Sequence, residues 1–375
     1  MLGVYRLWSA FCRLLLLGLP LAGTTFLIGF DGIIWAQGSQ GIRSIAALNK
    51  SSVPITAIAF SPDGHQLLCG STNGVQWLIW PELKVTGNSN LSQLNTGLTN
   101  VLDFQFSPTG DRLLISGGTP GEVGQVEIWD WKRDSNANAE GNAEGNFSEA
   151  SAIERMTDLI IATRLQTLSF HDDMIYQSAW SESEQYIAAA SFDGLCTVYD
   201  LPQKKVVSRF NGHSKGVLTL QFWNSETWLS GGLDHSIRMW HSNDGTVQRT
   251  MNNHVGIVIQ ILSESSTVNP RTRRLVSISQ DKTVRLWQPE IGRMVRLERL
   301  SSVPTAACWD SASCSIIVGC EDGVVYRLND ETLAIESQVK LSGMSIEAVA
   351  VNPLTGETVL AGSGGLRILD AEYLR

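Results

Sequence analysis

The chain has 375 residues, with 28 Lys plus Arg against 37 Asp plus Glu, a formal net charge of −9. Hydrophobic residues at 43% supply a sizeable core and exclude wholesale disorder, and the acidic balance gives a nucleic-acid binder no electrostatic footprint. Charged residues reach only 17%, against about 25% in ordinary soluble domains, and with 34 Gly and 12 Trp they point to sheets, turns and a recurring aromatic.

Residues 1–36 stand apart. Arg6 and Arg13 are the only charges in residues 1–13, residues 14–30 run apolar apart from Thr24 and Thr25, and Trp35-Ala36-Gln37 follows soon after. A basic start, an apolar stretch and a small residue at the end form the pattern of an export signal, here cleaved after Ala36. That reading expects an exported protein, periplasmic or extracellular. The competing reading is an uncleaved anchor, with membrane association through residues 14–36. Its apolar run of 17 residues is at the short limit for crossing about 30 Å of hydrocarbon. Gly18 and Pro20 argue against a buried core helix, and a cytoplasmic location is the least favoured. Losing residues 1–36 would leave a net charge of −10 and five cysteines: Cys69, Cys196, Cys308, Cys314 and Cys320. They lie in strand-like runs without disulfide spacing, so buried small hydrophobes are expected.

The remaining chain repeats. Ala57-Ile58-Ala59-Phe60-Ser61-Pro62-Asp63-Gly64 recurs as Leu102-Asp103-Phe104-Gln105-Phe106-Ser107-Pro108-Thr109-Gly110, with echoes ending at Ser181, Asn224, Asp310 and Asn352. A second anchor closes each unit: Ile79-Trp80, Trp129-Asp130, Tyr199-Asp200, Trp240-His241, Trp287-Gln288, Leu328-Asn329 and Leu369-Asp370. From Tyr199 onward these anchors are 41, 47, 41 and 41 residues apart, close to the roughly 40–45 of a four-stranded blade. The fourth unit reads as β runs at 206–210, 217–222, 227–230 and 236–240, broken by turn residues. Outside the first segment no amphipathic helix is expected, so the chain is all-β.

These residues resemble the WD-repeat family of β-propellers, over residues 42–370. The resemblance implies a seven-bladed propeller of four-stranded antiparallel blades. It also implies a hydrogen-bonded bridge within each intact blade, running from a His between blades through a turn Asp and a strand Ser to a Trp. Blade 4 supplies His213, Ser230, Asp234 and Trp240, and blade 5 supplies His254, Ser277, Asp281 and Trp287. Blade 3 keeps His171, Asp193 and Tyr199 but has Ala189 at the serine position; blade 6 keeps only Asp322, and blades 1, 2 and 7 are degenerate. A buried Asp needs such pairing, so removing His213 is expected to cost about 3–5 kcal/mol.

Strand counting predicts how the ring closes. Residues 365–370 form a third strand with no fourth after it, while residues 42–48 form an extra strand before the first unit; pairing the two hides both edges. Two insertions break the period. A polar, Gly-rich one at about 133–160 is expected to be a mobile loop, with residues 153–161 as a possible docking segment. The second, before Asp281, holds Arg271, Arg273 and Arg274, expected to be solvated or, as the sharper option, an anion contact. By the strand order the resemblance implies, both fall on the face opposite the His/Asp turns.

A triad occurs once, whereas Ser, His and Asp here recur in successive units, which favours structure over catalysis. Neither a nucleophile elbow nor a phosphate loop is present, and Gly117-Gly118-Thr119-Pro120-Gly121 reads as a long turn. His235 and His241 lack a third metal ligand. No cofactor, metal or nucleic acid is expected. The resemblance implies partner docking on the face carrying the turn Asp residues, where the preceding positions point outward: Thr72, Phe192, Leu233, Gln280 and Glu321. Phe192 and Leu233, large and apolar on adjacent blades, suggest a protein contact. The expected function is a non-catalytic scaffold for protein–protein interaction, the alternative an exported propeller enzyme or ligand carrier using its central channel.

Overall fold

A computed structural model describes residues 25–28, 34–38, 42–44, 53–81, 93–133, 160–264 and 273–371. They form seven antiparallel sheets, six of four strands and one of six. The strands of each are lettered a to d from the axis outward. Blade 1 comprises Ala57–Phe60, Gln66–Ser71, Gly74–Ile79 and Gln93–Leu94, and blade 2 Val101–Phe106, Arg112–Thr119, Val123–Arg133 and Ile160–His171. Blade 3 is Ile175–Trp180, Tyr186–Ser191, Cys196–Asp200 and Lys205–Phe210; blade 4 is Val217–Asn224, Thr227–Gly232, Ile237–His241 and Val247–Met251. Blade 5 follows with Val258–Ser263, Leu275–Ser279, Thr283–Gln288 and Arg293–Arg299, then blade 6 with Pro304–Asp310, Ser315–Cys320, Val324–Asn329 and Ile335–Lys340. Each strand a packs against the next, and that of blade 7 returns to blade 1, so the disc is a closed ring.

Position within a blade dictates composition. Strands b lie between the faces of neighbouring blades and are buried almost throughout, as in Thr227–Gly232 and Ser315–Cys320. They therefore read as unbroken runs such as Ala188-Ala189-Ala190, without alternation. Strands d are outer edges, more exposed, and carry charges that blunt edge-to-edge pairing: Lys205 and Arg209, then Arg293, Arg296 and Arg299, then Glu336 and Lys340. Gly117 shows how closely strand b approaches the d–a loop, since a Cβ there would lie 1.7 Å from the Asn100 carbonyl oxygen.

Blade 7 closes the circle. Its strands Ile346–Val351, Thr358–Gly362 and Gly365–Leu369 receive Ile42–Ser44 as strand d, with Ile42 opposite Leu369 and Ser44 opposite Arg367. Arg43 Nε donates to Asp370 at 3.1 Å, and its guanidinium also pairs with Glu357. The other Glu357 oxygen accepts Trp80 Nε1–H at 3.0 Å, and Asn352 Nδ2 donates to the Gly64 carbonyl at 2.8 Å. One carboxylate therefore joins the closing strand, blade 7 and blade 1.

Ile34–Gly38 and Thr25–Ile28 extend this sheet outward by two more strands. The rest of the expected signal or anchor segment lies outside the described residues, as do 134–159 of the first insertion and Arg271 of the second. Among the described residues no helix is long and apolar enough to cross a membrane. The one helical element among them is the 3-10 turn Pro289–Ile291, ended by Gly292 in a left-handed conformation at φ 64°.

The structure corrects two expectations. Arg273 and Arg274 are not solvated. Arg273 is only 4% exposed: its guanidinium lies 4.7 Å from the Trp223 ring and donates to the carbonyls of Trp223 (2.5 Å) and Glu264 (2.8 Å). Trp223 is held from its other polar side by Glu290, which accepts the indole N–H at 2.6 Å. Arg274 pairs with Glu264 and Asp330, the latter on blade 6, and lies 5.7 Å from the Trp309 ring. Arg273 covers the buried Trp223 and Arg274 the half-buried Trp309, each between blades. Cys314, expected in a strand, is exposed in a turn at φ 51°, whereas Cys69, Cys196 and Cys320 are buried.

Candidate functional site

Blades 4 and 5 carry the same four-residue bridge. His213, on the d–a loop, has Nδ1 at 3.0 Å from both Asp234 oxygens and Nε2 at 2.8 Å from Ser230 Oγ, which accepts Trp240 Nε1–H at 3.1 Å. In blade 5 the matching distances are 2.9 Å for His254 to Asp281, 2.7 Å to Ser277, and 2.8 Å for Trp287 to Ser277. Blade 3 has half of it: His171 Nδ1 lies 2.8 Å from Asp193, while Nε2 is buried without a partner because Ala189 offers no oxygen. Blade 2 uses a substitute that its sequence did not advertise. Buried Glu127 accepts Trp129 Nε1–H at 3.0 Å, Arg164 at 2.7 Å and the Gly97 amide at 2.8 Å.

Asp–His–Ser at these distances is the geometry of a nucleophilic triad. Accessibility decides against that use. Ser230 and Ser277 are completely buried, and an indole N–H already occupies each hydroxyl oxygen. No substrate carbon can reach them. Burial alone would raise the Asp234 carboxyl, but hydrogen bonds from His213, Ser236 and the Ser214 amide outweigh it and hold the group well below the usual range. Asp281 and Asp193 are lowered by similar contacts. Desolvation lowers His254 despite the opposing pull of Asp281, which favours neutral imidazole.

The turn Asp residues also set the d–a loops, since Asp193, Asp234 and Asp281 accept the amides of Asp172, Ser214 and Val255 at 3.2, 3.2 and 3.1 Å. The b–c turns and d–a loops share one face of the disc. There Thr72, Gln280 and Glu321 are exposed, Phe192 is 40% exposed and Leu233 is half-buried. Phe192 and Leu233 flank Gly216: the Leu233 amide donates to the Gly216 carbonyl at 2.9 Å, and a Cβ on Gly216 would lie 3.1 Å from the Phe192 ring. Phe192 stacks on Tyr176 with centroids 5.8 Å apart, and Tyr176 lines the channel mouth. Val255, at 78% exposure, adds a third large apolar side chain on this face. The sequence signal was available but unused: Val255 takes the loop place where Asp172 and Ser214 are polar.

Strands a line a central channel of about 320 Å³. A register shift near the start of strand a in blades 2 to 7 marks one structurally repeated position, which turns to the next blade. Asp103, Gln177, Thr219 and Gln260 stand there in blades 2 to 5. Each accepts a backbone amide of the following blade: Ser178 at 3.1 Å, Leu220 at 2.8 Å, Ile261 at 2.9 Å and Ala307 at 2.8 Å. Ala306 and Ala348 cannot do this. Blades 6 and 1 instead donate Thr305 and Thr56 hydroxyls to carbonyls of the blades that follow them, Ile346 and Val101. Asp103 is the single acid in this series, and burial pushes its carboxyl up to about 7 despite bonds from Ser178 and Gln105. Among the described residues no group of three or more His, Cys, Asp or Glu could hold a metal ion.

The chain matches the family described as WD domain, G-beta repeat at residues 42–75, 162–200 and 204–241. Each match begins on the outer strand of one sheet and ends within the next, so the sequence repeat is offset from the blade by one strand. It is 26% identical over 168 residues to p21-activated protein kinase-interacting protein 1-like of Danio rerio, covering 44% of each chain. Identity to Polycomb protein esc of Drosophila melanogaster is 29% over 140 residues (35% of this chain, 32% of that protein), and to Striatin-4 of Homo sapiens 27% over 234 residues (54% and 31%). The chain spans less than half the length of these relatives. Among solved structures, the WD40 beta propeller domain of Doa1 shares the fold, with a TM-score of 0.61 at 16% identity over 85% of this chain and 94% of that one.

Proposed function

We propose that this chain, a seven-bladed propeller of WD repeats, is a non-catalytic scaffold that captures protein partners on the face bearing Phe192, Leu233 and Val255. The carrying observation is the contrast between two sets of residues. The groups that resemble chemistry are sealed inside blades, whereas a rigid face presents an aromatic pair and two aliphatic side chains, with Thr72, Gln280 and Glu321 exposed on the same face. Exposed apolar patches of this kind serve recognition, and anchors in them carry most of the binding energy. A relative named for its interaction with a kinase supports the same reading.

Replacing Phe192 and Leu233 by Asp tests it. Capture from lysate, quantified by mass spectrometry against the parent protein, is expected to fall at least about 30-fold, as for loss of anchors worth about 2 kcal/mol or more. The unfolding midpoint should hold. Unchanged capture would place the docking surface elsewhere.

The same proposal includes export or membrane attachment through residues 1–36. Cleavage after Ala36 would remove Thr25–Ile28 and cut Ile34–Gly38, the two outermost strands of the blade 7 sheet, but would leave Ile42–Ser44, the strand that closes the ring. N-terminal sequencing of the protein from its natural source decides: a start near Gln37 supports export, and an intact Met1 in a soluble fraction overturns it.

A further inference from the structure

The outer rim of blades 3 to 5 carries a charge opposite to that of the chain. Three stretches build it, each a c–d turn with its strand d: residues 201–210, 242–251 and 289–299. Blade 3 contributes Lys204, Lys205 and Arg209, blade 4 Arg249, and blade 5 Arg293, Arg296 and Arg299, all of them exposed. Against these seven cations the stretches hold three acids, Asp244, Glu290 and Glu298, so the sector is net +4 in a chain of net −9. Glu290 already accepts from Trp223 and Glu298 from the Arg299 amide, and Glu226 adds one exposed acid on the adjoining a–b turn. None of the seven cations forms an ion pair among the described residues, whereas Arg164, Arg274, Arg285 and Arg327 each do. Arg249 and Arg296 bond the adjacent carbonyls of Gln248 and Val295, at 2.8 and 3.1 Å. The stretches adjoin one another: a Cβ on Gly245 would lie 2.9 Å from the Arg209 carbonyl oxygen, and one on Gly292 3.7 Å from Arg249 Cδ.

Edge protection does not require a single sign. Charges of either sign blunt a strand edge, and blade 6 uses both, with Glu336 and Lys340. Like charges on neighbouring strands repel one another and create a field that attracts anions. Five of the seven cations are Arg, whose planar fork bonds a phosphate through two N–H groups at once. Three large aliphatic side chains stand exposed in the same stretches, each within two residues of an arginine: Val247 at 46%, Ile291 at 64% and Leu297 at 36%. Ile291 ends the 3-10 turn, just before Gly292 and Arg293. Cations interleaved with aliphatic side chains match a surface that has phosphates outermost and hydrocarbon beneath. The outer wall of a closed disc is convex, a shape that rests on a broad surface and does not wrap a peptide. We infer that the outer rim of blades 3 to 5 docks on an anionic lipid bilayer, its arginines on headgroup phosphates and Ile291 within the headgroup layer.

The full chain is sedimented with vesicles of phosphatidylcholine alone and of phosphatidylcholine with about 30% phosphatidylglycerol, at low and high salt. The anionic vesicles are expected to bind it more tightly, and high salt to remove the difference. A cation held at such a surface is worth about fivefold in affinity, so combining Arg249→Gln, Arg293→Gln and Arg296→Gln should weaken anionic binding about 100-fold. Ile291→Ser leaves the charge unchanged and should weaken it several-fold. All four positions are exposed, so the unfolding midpoint should hold in both variants. Residues 1–36 are common to every protein compared, and their own affinity for lipid cancels. Equal binding of the parent to the two vesicle types, or parental affinity in either variant, overturns the assignment. So does binding of soluble polyglutamate without binding of anionic vesicles, which would give the rim to an acidic protein.

Discussion

Blade 3 offers an experiment in which the protein should become more stable than it is. His171 Nε2 is buried and unpaired where His213 and His254 each meet a serine, and Ala189 stands at that serine's place. The register makes the equivalence firm: Ala189 faces Thr197 two residues before Tyr199, as Ser230 faces Arg238 two residues before Trp240. Ala189→Ser would place an oxygen where the sister blades hold theirs, 2.7–2.8 Å from the imidazole. A net hydrogen bond is worth about 0.5–1.5 kcal/mol, and the orphan it satisfies costs about 1–3 kcal/mol, so a gain near 1 kcal/mol is expected. Ser230→Ala and Ser277→Ala run the other way: each strands both a His nitrogen and a Trp N–H, and should cost more than about 2 kcal/mol. Adding Tyr199→Trp to Ala189→Ser restores the second donor, and the pair should gain more than the sum of its parts. Urea unfolding gives these energies, provided the slope with denaturant is unchanged. If Ala189→Ser were neutral or destabilising while the two Ser→Ala variants cost little, the bridge would not be the blade's organising contact.

Other expectations follow from single contacts. Asp103 titrates near 7 in the fold but near about 3.9 unfolded, so its contribution is full below pH 4 and is lost as pH rises through 7. Asp103→Asn keeps an acceptor for the Ser178 amide, so its stability advantage over the parent should grow between pH 4 and 8; a constant difference would refute the assignment. Asp234 and Asp281, whose carboxyls are depressed, have the opposite sign, and His213→Ala should flatten part of the acid loss below about pH 4. Arg273→Ala uncovers Trp223 and frees carbonyls of blade 4, costing about 3 kcal/mol by unfolding, and Arg273→Lys should recover little because it lacks the planar fork. A chain starting at Gln37 should keep its unfolding midpoint, whereas one lacking residues 42–48 should lose several degrees throughout the molecule; equal midpoints would refute closure through Ile42–Ser44.

Blade number, strand order and the His–Asp–Ser–Trp bridges could be read from one dimension because each lies within a single repeat, at separations of 10 to 27 residues. What escaped reading joins different repeats. The amide contacts of the inner ring span 42 to 75 residues, the Arg273 lid on Trp223 spans 50, and the Arg43–Glu357 pair spans 314. Arg273 and Arg274 looked solvated because a loop with three arginines carries no mark of the indoles it will cover. Glu127 escaped for a related reason: its partner Arg164 lies beyond an insertion that hides the period. Phe192 and Leu233 could be picked out as the residues just before each turn Asp, yet their shared contact with Gly216 is a property of packed blades alone.

The closing strand has a consequence in time as well as space. Arg43 leaves the ribosome more than three hundred residues ahead of Asp370, the residue its side chain must find. Blades 1 to 6 can assemble as they emerge, but Ile42–Ser44, paired on one side with Ile34–Gly38, has nothing to pair with on its other side until the last sheet exists. Nascent chains therefore carry an open crescent with two unsatisfied rims, and the final blade converts it to a hoop in one step. A factor that shields Ile42–Ser44 during synthesis would shorten the exposure of that rim without altering the finished disc.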